Sequence, residues 1–253
     1  MNWHLPAALL ALSLAVLVPR ASAAKVENPC TGPRSGHFLC PNLKIAAPTE
    51  LYAQRVGKGV LLHASSNVES RGRGPMELRG TRSGPRQMSV RQRIYRTGGG
   101  HRDFATNAHL HFTDVGAYYG GRYWKVHRLA IFELWSVNPQ GRLKRRVRVG
   151  PKTNYCLRDL QRTDPGPRSP PEAHYPGCDQ NPASRGVTLG TSVGWSDIYP
   201  SDYTNQWINV TGLRGCYAFV MRVDPQNFFY ESDQHDNSSR RLVRLPFRAD
   251  TGC

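Results

Sequence analysis

The chain alternates hydrophobic and polar positions in short runs, separated by Gly, Pro, Asn and Asp. Alternation with a period of two predicts β-strands, and no stretch keeps helical spacing for three turns. We therefore predict an all-β fold, a single β-sandwich-like domain with long loops and disulfides. The predicted strands lie in GVLLHASSNVES (59–70), MSVRQRIYR (88–96), AHLHFTDV (108–115), WKVHRLAIFELWSV (124–137), RVRVG (146–150), QWINVTGL (206–213), CYAFVMRVD (216–224) and RLVRLPF (241–247).

Two segments lack any period and are predicted to be loops. Residues 163–184, TDPGPRSPPEAHYPGCDQNPAS, are dense in proline and contain Cys178, which would tether the loop. Residues 69–87, ESRGRGPMELRGTRSGPRQ, are similar in composition. Long ordered loops in compact domains often carry function.

Residues 1–24 form an apolar run that ends in small residues, which predicts a cleaved signal peptide followed by one domain over 25–253. No later stretch is apolar for the length a membrane helix needs, so we expect a secreted protein without a membrane span. All six cysteines follow position 24, and an even count in an exported chain favours three disulfides. Their order suggests Cys30–Cys40, Cys156–Cys178 and Cys216–Cys253, although the sequence alone does not choose among the many possible pairings.

The formal net charge is +16 and comes mainly from arginines that alternate with apolar residues. Such alternation also describes the solvated face of a sheet, so the charge alone does not define a site. Outside a cell the charge favours anionic wall polymers, acidic polysaccharides or acidic proteins as partners. Nucleic-acid binding would follow from charge alone and would be salt-sensitive, so no specific nucleic-acid site is predicted.

Three of the nine histidines fall close together in the sequence. His109 and His111 are two apart, so in a strand their imidazoles share one face. A following strand could return and bring His127 beside them, which would give an all-nitrogen site suited to copper or zinc. The alternative is a group of histidines with no metal, and His101 is a further candidate ligand.

Four motifs, in order, resemble the catalytic domain of the lysyl oxidase family. NAHLHFTDVGAY resembles its H-x-H-x-H copper strand, and GPKTNYCLRD its K-x-x-F-C-L segment. GWSDIYPSDYTNQW and YESDQHDN resemble the D-x-Y…D-x-x-x-Q-W and E-S-D…N segments. The likeness covers roughly 105–247, and the region before it looks like the microbial branch of the family, reduced to the catalytic domain.

The resemblance implies a copper-dependent amine oxidase whose lysine tyrosylquinone forms from Lys152 and Tyr199. Without the resemblance, the favoured interpretation of Lys152 is a solvated lysine in a Gly-Pro turn. In the family reaction, copper and oxygen convert the tyrosine to a quinone, and the neutral lysine amine attacks its ring. Asp197 is the candidate base for the α-proton of the substrate, with a turn-capping aspartate as the alternative.

The sequence departs from the family pattern at the copper strand, where Asn107 stands in place of the first histidine. An asparagine oxygen is a weak copper ligand beside imidazole, so another histidine substitutes or the site is impaired. YGGRYWK (119–125) is an insertion that could return His127 to the site. The predicted copper ligands are therefore His109, His111 and His127.

The segment YESDQHDN also places hard oxygen donors at high density, as a calcium site requires. The resemblance points to calcium here, and a solvated acidic turn is the alternative. The candidate ligands are Glu231, Asp233, Asp236 and Asn237.

Two functions from different classes remain. One is a secreted copper amine oxidase that uses molecular oxygen to deaminate peptidyl lysine or small primary amines to aldehydes, with release of hydrogen peroxide and ammonia. The other is a non-catalytic β-sandwich that binds cell-wall polymers or other polyanions. Lys152 and Tyr199 in their full motifs favour the oxidase, whereas Asn107 favours the binding protein.

Overall fold

The structure is a computed structural model that describes Met1, residues 27–249 and residues 252–253. Apart from Met1, the predicted signal peptide (1–24) lies outside the described residues. Two short 3-10 turns occur in this part of the chain, Ser35–His37 and Ala117–Tyr119. Its strands are β1 Phe38–Leu39, β2 Leu43–Ile45, β3 Thr49–Val56, β4 Gly59–Ser70, β5 Met76–Gly84, β6 Gln87–Arg96, β7 His101–Asp114, β8 Arg122–Val126, β9 Ala130–Val137, β10 Leu143–Val149, β11 Gln161–Arg162, β12 Gly186–Thr191, β13 Trp195–Tyr199, β14 Trp207–Asn209, β15 Gly215–Val223 and β16 Ser238–Leu245.

These strands form three antiparallel sheets around one main core. The first has the order β12-β5-β6-β7-β8, with β1 added to β6. The second has the order β11-β13-β4-β14, with β2 and β3 also paired to β4, and the third has the order β10-β9-β15-β16. In β6 the buried positions alternate strictly with outward ones from Met88 to Ile94, as a sheet with one packed face requires. The all-β prediction is confirmed, and the described residues contain no α-helix.

The structure corrects two predicted elements. Residues 69–87 are not a loop, because β5 runs through them and pairs with both β6 and β12. Its inward positions, Met76 and Leu78, are fully buried. Three turn residues also split the predicted strand 124–137 into β8 and β9. Arg128, the middle one, has a left-handed φ of 56°.

Residues 163–184 contain no strand, as predicted. The disulfide Cys156–Cys178 fastens this long loop to the segment that follows β10. The other two bridges are Cys30–Cys40 and Cys216–Cys253, so all three pairings suggested by the order of the cysteines occur. Each bridge closes a loop in the unfolded chain and thereby disfavours unfolding.

Candidate active site

Lys152 is buried in the interior beside Tyr199, with only 3% of its surface exposed. The chain reaches this position through Gly150, whose N–H donates to the carbonyl of Phe132 at 2.8 Å. A Cβ atom at position 150 would lie 2.6 Å from the carbonyl oxygen of Trp207, so only glycine allows this approach. The Gly-Pro corner after β10 therefore turns Lys152 inward, not toward solvent.

Three tyrosine rings surround the Lys152 amine. Its Nζ lies 4.0 Å from the ring centroid of Tyr199, 4.5 Å from that of Tyr203 and 4.7 Å from that of Tyr155. Burial lowers the pKa of Lys152 well below its ordinary value of 10.5, and the nearby Lys125 charge lowers it further, while Asp197 opposes the change. The environment therefore favours the neutral, nucleophilic amine next to the Tyr199 ring.

Asp197 and Tyr199 lie two residues apart on β13, on the buried face of that strand. β13 pairs with β4, where Tyr199 lies opposite Ser66. The Tyr199 hydroxyl accepts a hydrogen bond from the Cys156 N–H at 3.0 Å. The neighbouring Leu157 has a left-handed φ of 58° and donates its N–H to Asp197 Oδ2 at 3.1 Å. One short segment therefore positions both side chains.

Asp197 is fully buried, and its Oδ1 has no hydrogen-bond partner among the described residues. Burial raises the pKa of Asp197 from its ordinary 3.8 to about 6, although Arg158, Lys152 and Lys125 all act to lower it. A carboxylate with a raised pKa and a free oxygen can accept a proton near neutral pH. Asp197 thus has the chemistry of a general base.

Lys125 is a buried residue of this site that the sequence interpretation missed. It is 1% exposed, its Nζ donates to the Tyr203 hydroxyl at 3.1 Å, and it lies 5.5 Å from the Tyr199 ring centroid. Burial lowers the pKa of Lys125 to about 8. Its position two residues before His127, which places the two on one face of the predicted strand 124–137, was the available signal.

A narrow cleft of about 50 Å³ connects Lys152 and Lys125 with the surface. Its rim is mostly polar and uncharged, apart from the exposed Asp114, which pairs with Arg122 at 2.9 Å. The cleft is lined by Thr113, Asp114, Val115, Lys125, Pro151, Lys152, Thr153, Asn154, Thr204 and Asn205. Such a passage suits an unbranched chain ending in a polar group better than a bulky ligand.

The three predicted copper ligands lie together next to this site. His111 lies opposite Lys125 in the β7–β8 pairing, and the His127 N–H donates to the His109 carbonyl at 2.9 Å. The rings of His111 and His127 stack with centroids 4.2 Å apart, while His109 Nδ1 is buried and unpartnered among the described residues. His101 lies at the other end of β7, against Tyr95.

The histidine rings do not point at a common centre. Across the described residues, no three His, Cys, Asp or Glu side chains are arranged to hold a metal ion. Stacked rings do not converge on one ion, so ligation needs rotation of these side chains. The available donors are three imidazole rings, and one of their nitrogens, His109 Nδ1, is buried without a hydrogen-bond partner among the described residues. Imidazole nitrogens are ligands that copper prefers, so these residues are chemically suited to bind it.

Asn107 lies in an irregular part of β7. Ser89 pairs with His109 and Arg91 with Ala105, so three β7 residues lie opposite the single residue Val90. Such a bulge breaks the strict alternation of faces. Asn107 is exposed there, at a point where the alternation that places His109 and His111 on one face is interrupted.

The predicted calcium ligands are divided between the interior and the surface. Glu231 is fully buried, where its Oε1 accepts from Asn237 Nδ2 at 3.0 Å and its Oε2 from the Leu43 N–H. Asp236 pairs with Lys44 at 2.8 Å, and Asp233 is exposed. Oxygens of Asp236, Asn237 and Asn42 are buried without partners among the described residues. These orphaned oxygens match the ligand chemistry of calcium.

In the part of the chain that the structure describes, no helix has the length and apolar character of a membrane span.

Comparison with known proteins agrees with the four motifs. A sequence model of the family named Lysyl oxidase matches residues 106–247, which is more than half of the chain. Human protein-lysine 6-oxidase is 29% identical over 123 residues, and this match covers 48% of the chain and 26% of the human protein. Pig protein-lysine 6-oxidase is 28% identical over 123 residues, covering 48% of the chain and 43% of the pig protein.

The chain thus matches less than half the length of these curated relatives. The family match includes Lys152, Asp197, Tyr199 and the three clustered histidines. Because the family model covers more than half of the sequence, the chain belongs to the lysyl oxidase family.

Proposed function

We propose that the protein is a secreted copper-dependent amine oxidase. It converts a primary amine, oxygen and water into an aldehyde, ammonia and hydrogen peroxide. The single observation that carries the proposal is the buried Lys152 amine 4.0 Å from the ring of Tyr199. Lysine and tyrosine seldom meet in an interior by chance, since burying an unpaired amine is unfavourable.

Lys152 and Tyr199 are the proposed precursors of lysine tyrosylquinone. The neutral Lys152 amine faces the ring that it would attack, and the burial that lowers its pKa maintains that neutral form. When bound, copper would activate dioxygen as the oxidant of Tyr199, and the quinone cross-linked to Lys152 would supply an electrophilic carbonyl for the substrate amine and take up two electrons from it. The Cys156 N–H holds the Tyr199 oxygen, which limits rotation of the ring before cross-linking.

Asp197 is the proposed general base. Its Oδ2 is held by the Leu157 N–H, which leaves Oδ1 able to accept a proton from a substrate carbon. The narrow cleft would bring the amine to Lys152, beside the Tyr199 ring, and limit water around it. The substrate class is peptidyl lysine or small primary amines, as the name of the relatives, protein-lysine 6-oxidase, suggests.

Copper would be held by His109, His111 and His127. We expect H109A, H111A and H127A each to lower copper affinity by at least about 100-fold, because each removes an imidazole nitrogen. Equilibrium dialysis followed by metal analysis measures this without any need for turnover. H101A is the matched control and should bind copper as the wild type does. Equal losses in all four variants would contradict this ligand set.

Calcium is the proposed second ion, held by oxygens of Glu231, Asp233, Asp236 and Asn237. We expect calcium to raise the unfolding temperature of the wild-type protein, because ligand binding stabilises the folded state. E231Q should remove most of this increase, since it replaces the only fully buried carboxylate of the set. An increase that persists unchanged in E231Q would exclude Glu231 as a ligand.

The test of the function is mass spectrometry of a proteolytic digest after copper loading in air. We expect a peptide containing Lys152 joined to one containing Tyr199, with the mass of a quinone. A protein that binds copper but forms no such cross-link would instead be the non-catalytic polyanion-binding protein that Asn107 and the charge of +16 favour.

A further inference from the structure

A groove lined by three arginines and a histidine lies away from the candidate active site. Two adjoining cavities of about 410 and 480 Å³ share Arg34, Phe38 and Arg102 in their linings. The second cavity adds His37 and Arg96. We call this surface the arginine groove and define it by Arg34, His37, Arg96 and Arg102. All four side chains are exposed.

The cations of the arginine groove have no anionic partners in the described residues. Arg71, Arg79, Arg93, Arg122, Arg146 and Arg222 form ion pairs with carboxylates, whereas none of the four groove residues does. Arg102 is held instead with its guanidinium 4.9 Å from the Phe104 ring centroid. Glu27 also lines the first cavity but forms no ion pair with these arginines in the described residues. The groove therefore presents three exposed guanidinium groups against one carboxylate, and guanidinium groups bind carboxylates or sulfates through paired hydrogen bonds.

A separate small core keeps the walls of the groove in place. Cys30, Phe38, Cys40, Ile94 and Phe104 pack together beneath it, apart from the main core. The Cys30–Cys40 disulfide closes one wall, and Thr97 donates its N–H to the His37 carbonyl at 3.1 Å. Phe38 also pairs with Arg96 in the β1–β6 ladder. A rigid site loses less conformational entropy on binding than a mobile one.

The shape and chemistry of the groove favour one class of ligand. Phe38 and Phe104 are only 7% and 6% exposed, so no aromatic face is available for stacking the bases of a single-stranded nucleic acid. The lining also offers no exposed large hydrophobic side chain to anchor a peptide. Guanidinium groups spread along an open groove instead match a polymer with anionic groups at intervals.

We infer that the arginine groove binds an acidic polysaccharide, through carboxylate or sulfate groups. The groove and the active-site cleft lie at opposite ends of β7, where Arg102 is near the start and Asp114 is the last residue. Twelve residues at about 3.3 Å each separate the two sites by about 40 Å along the strand. A polymer in the groove would therefore leave the cleft open and anchor the protein to a matrix. This inference does not depend on amine oxidation.

The test compares two triple variants with the same change in charge. R34Q/R96Q/R102Q removes three groove arginines, whereas R142Q/K144Q/R145Q removes three exposed cations near the start of β10. Binding to polygalacturonate, which carries carboxylates, and to dextran sulfate is measured by calorimetry over a series of salt concentrations. We expect the groove variant to bind at least one of them about tenfold more weakly than the wild type and with a smaller salt dependence. The control variant should change affinity less than about twofold.

The pair of polymers shows whether carboxylate or sulfate is preferred. Equal losses in both triple variants would overturn the inference, because binding would then follow overall charge. Groove-dependent binding that is tighter for polyglutamate or single-stranded DNA than for both polysaccharides would also overturn it. If the triple variant unfolds, the single variants R102Q and R34Q are measured in its place. Polysaccharide affinities equal to that of the wild type in both single variants would overturn the inference.

Discussion

Replacing Lys152 with arginine (K152R) is expected to abolish amine oxidation and the quinone absorbance, while copper binding is retained. Arginine keeps a positive charge but remains protonated, so it cannot attack the oxidised Tyr199 ring. The effect should be a complete loss of measurable turnover. The measurement combines hydrogen peroxide production, the visible spectrum and mass spectrometry of the copper-loaded protein.

K144R is the matched control for this prediction. Lys144 lies on β10 and is exposed, so the same substitution there should change neither the spectrum nor the turnover. Lys125 is a second buried amine near the same ring, with its Nζ 5.5 Å from the Tyr199 ring centroid. The experiment therefore also tests which of the two lysines forms the cross-link. A quinone in K152R that is cross-linked through Lys125 would contradict the assignment of Lys152. A wild-type spectrum without any cross-link would contradict the cofactor itself.

Replacing Asp197 with asparagine (D197N) is expected to lower the turnover number by about 10²–10⁴-fold, the usual contribution of a general base. Asparagine can still accept the Leu157 N–H but cannot take up the α-proton. Because burial raises the pKa of Asp197 to about 6, wild-type turnover should increase with pH up to about 6 as the carboxylate forms. D197N should lack this increase. The measurement is a pH profile of turnover with a small amine.

D197N should also change how stability depends on pH. Between pH values of about 4 and 6, the folded protein keeps a proton on Asp197 that the unfolded chain has released. Stability therefore falls as the pH rises through this window, by about 3 kcal/mol for this group. D197N removes that loss, and D202N, the same substitution at an exposed position, is the matched control. A D197N protein with the wild-type pH profiles of turnover and stability would exclude Asp197 as the base.

Much of the fold could be predicted from the alternation of residues along the chain. Val68, Val90 and Leu110 each lie in a run of alternating polarity and are buried in the core. The β5 strand was missed because its Gly80, Arg79 and Arg82 resemble loop residues. Gly80 is needed there, since a Cβ would lie 2.6 Å from the side chain of Leu110. That close approach comes from β7, which lies two strands away in the same sheet, so the local sequence does not predict it.

The candidate site was predictable in its residue types but not in its environment. The motifs around Lys152 and Tyr199 predicted that these two side chains belong to one site. The spacing of His109 and His111 predicted that they would share a face, and a returning strand was expected to add His127. Neither the burial of Lys125 nor its hydrogen bond to Tyr203 could be predicted, because they depend on how β8 packs against the segment after β13.

The sequence by itself determined the all-β class, the order of the half-cystines and the family, because these depend on local alternation and on motifs in the chain. Only the tertiary structure decided that Lys152 is buried. Its burial depends on Gly150 packing against the carbonyl of Trp207 and on three tyrosines from two segments closing around the amine. The bulge at Asn107 and the grouping of arginines in the arginine groove also became visible only in the tertiary structure. Pairing register and the placement of charged side chains relative to one another arise from contacts between residues far apart in the chain.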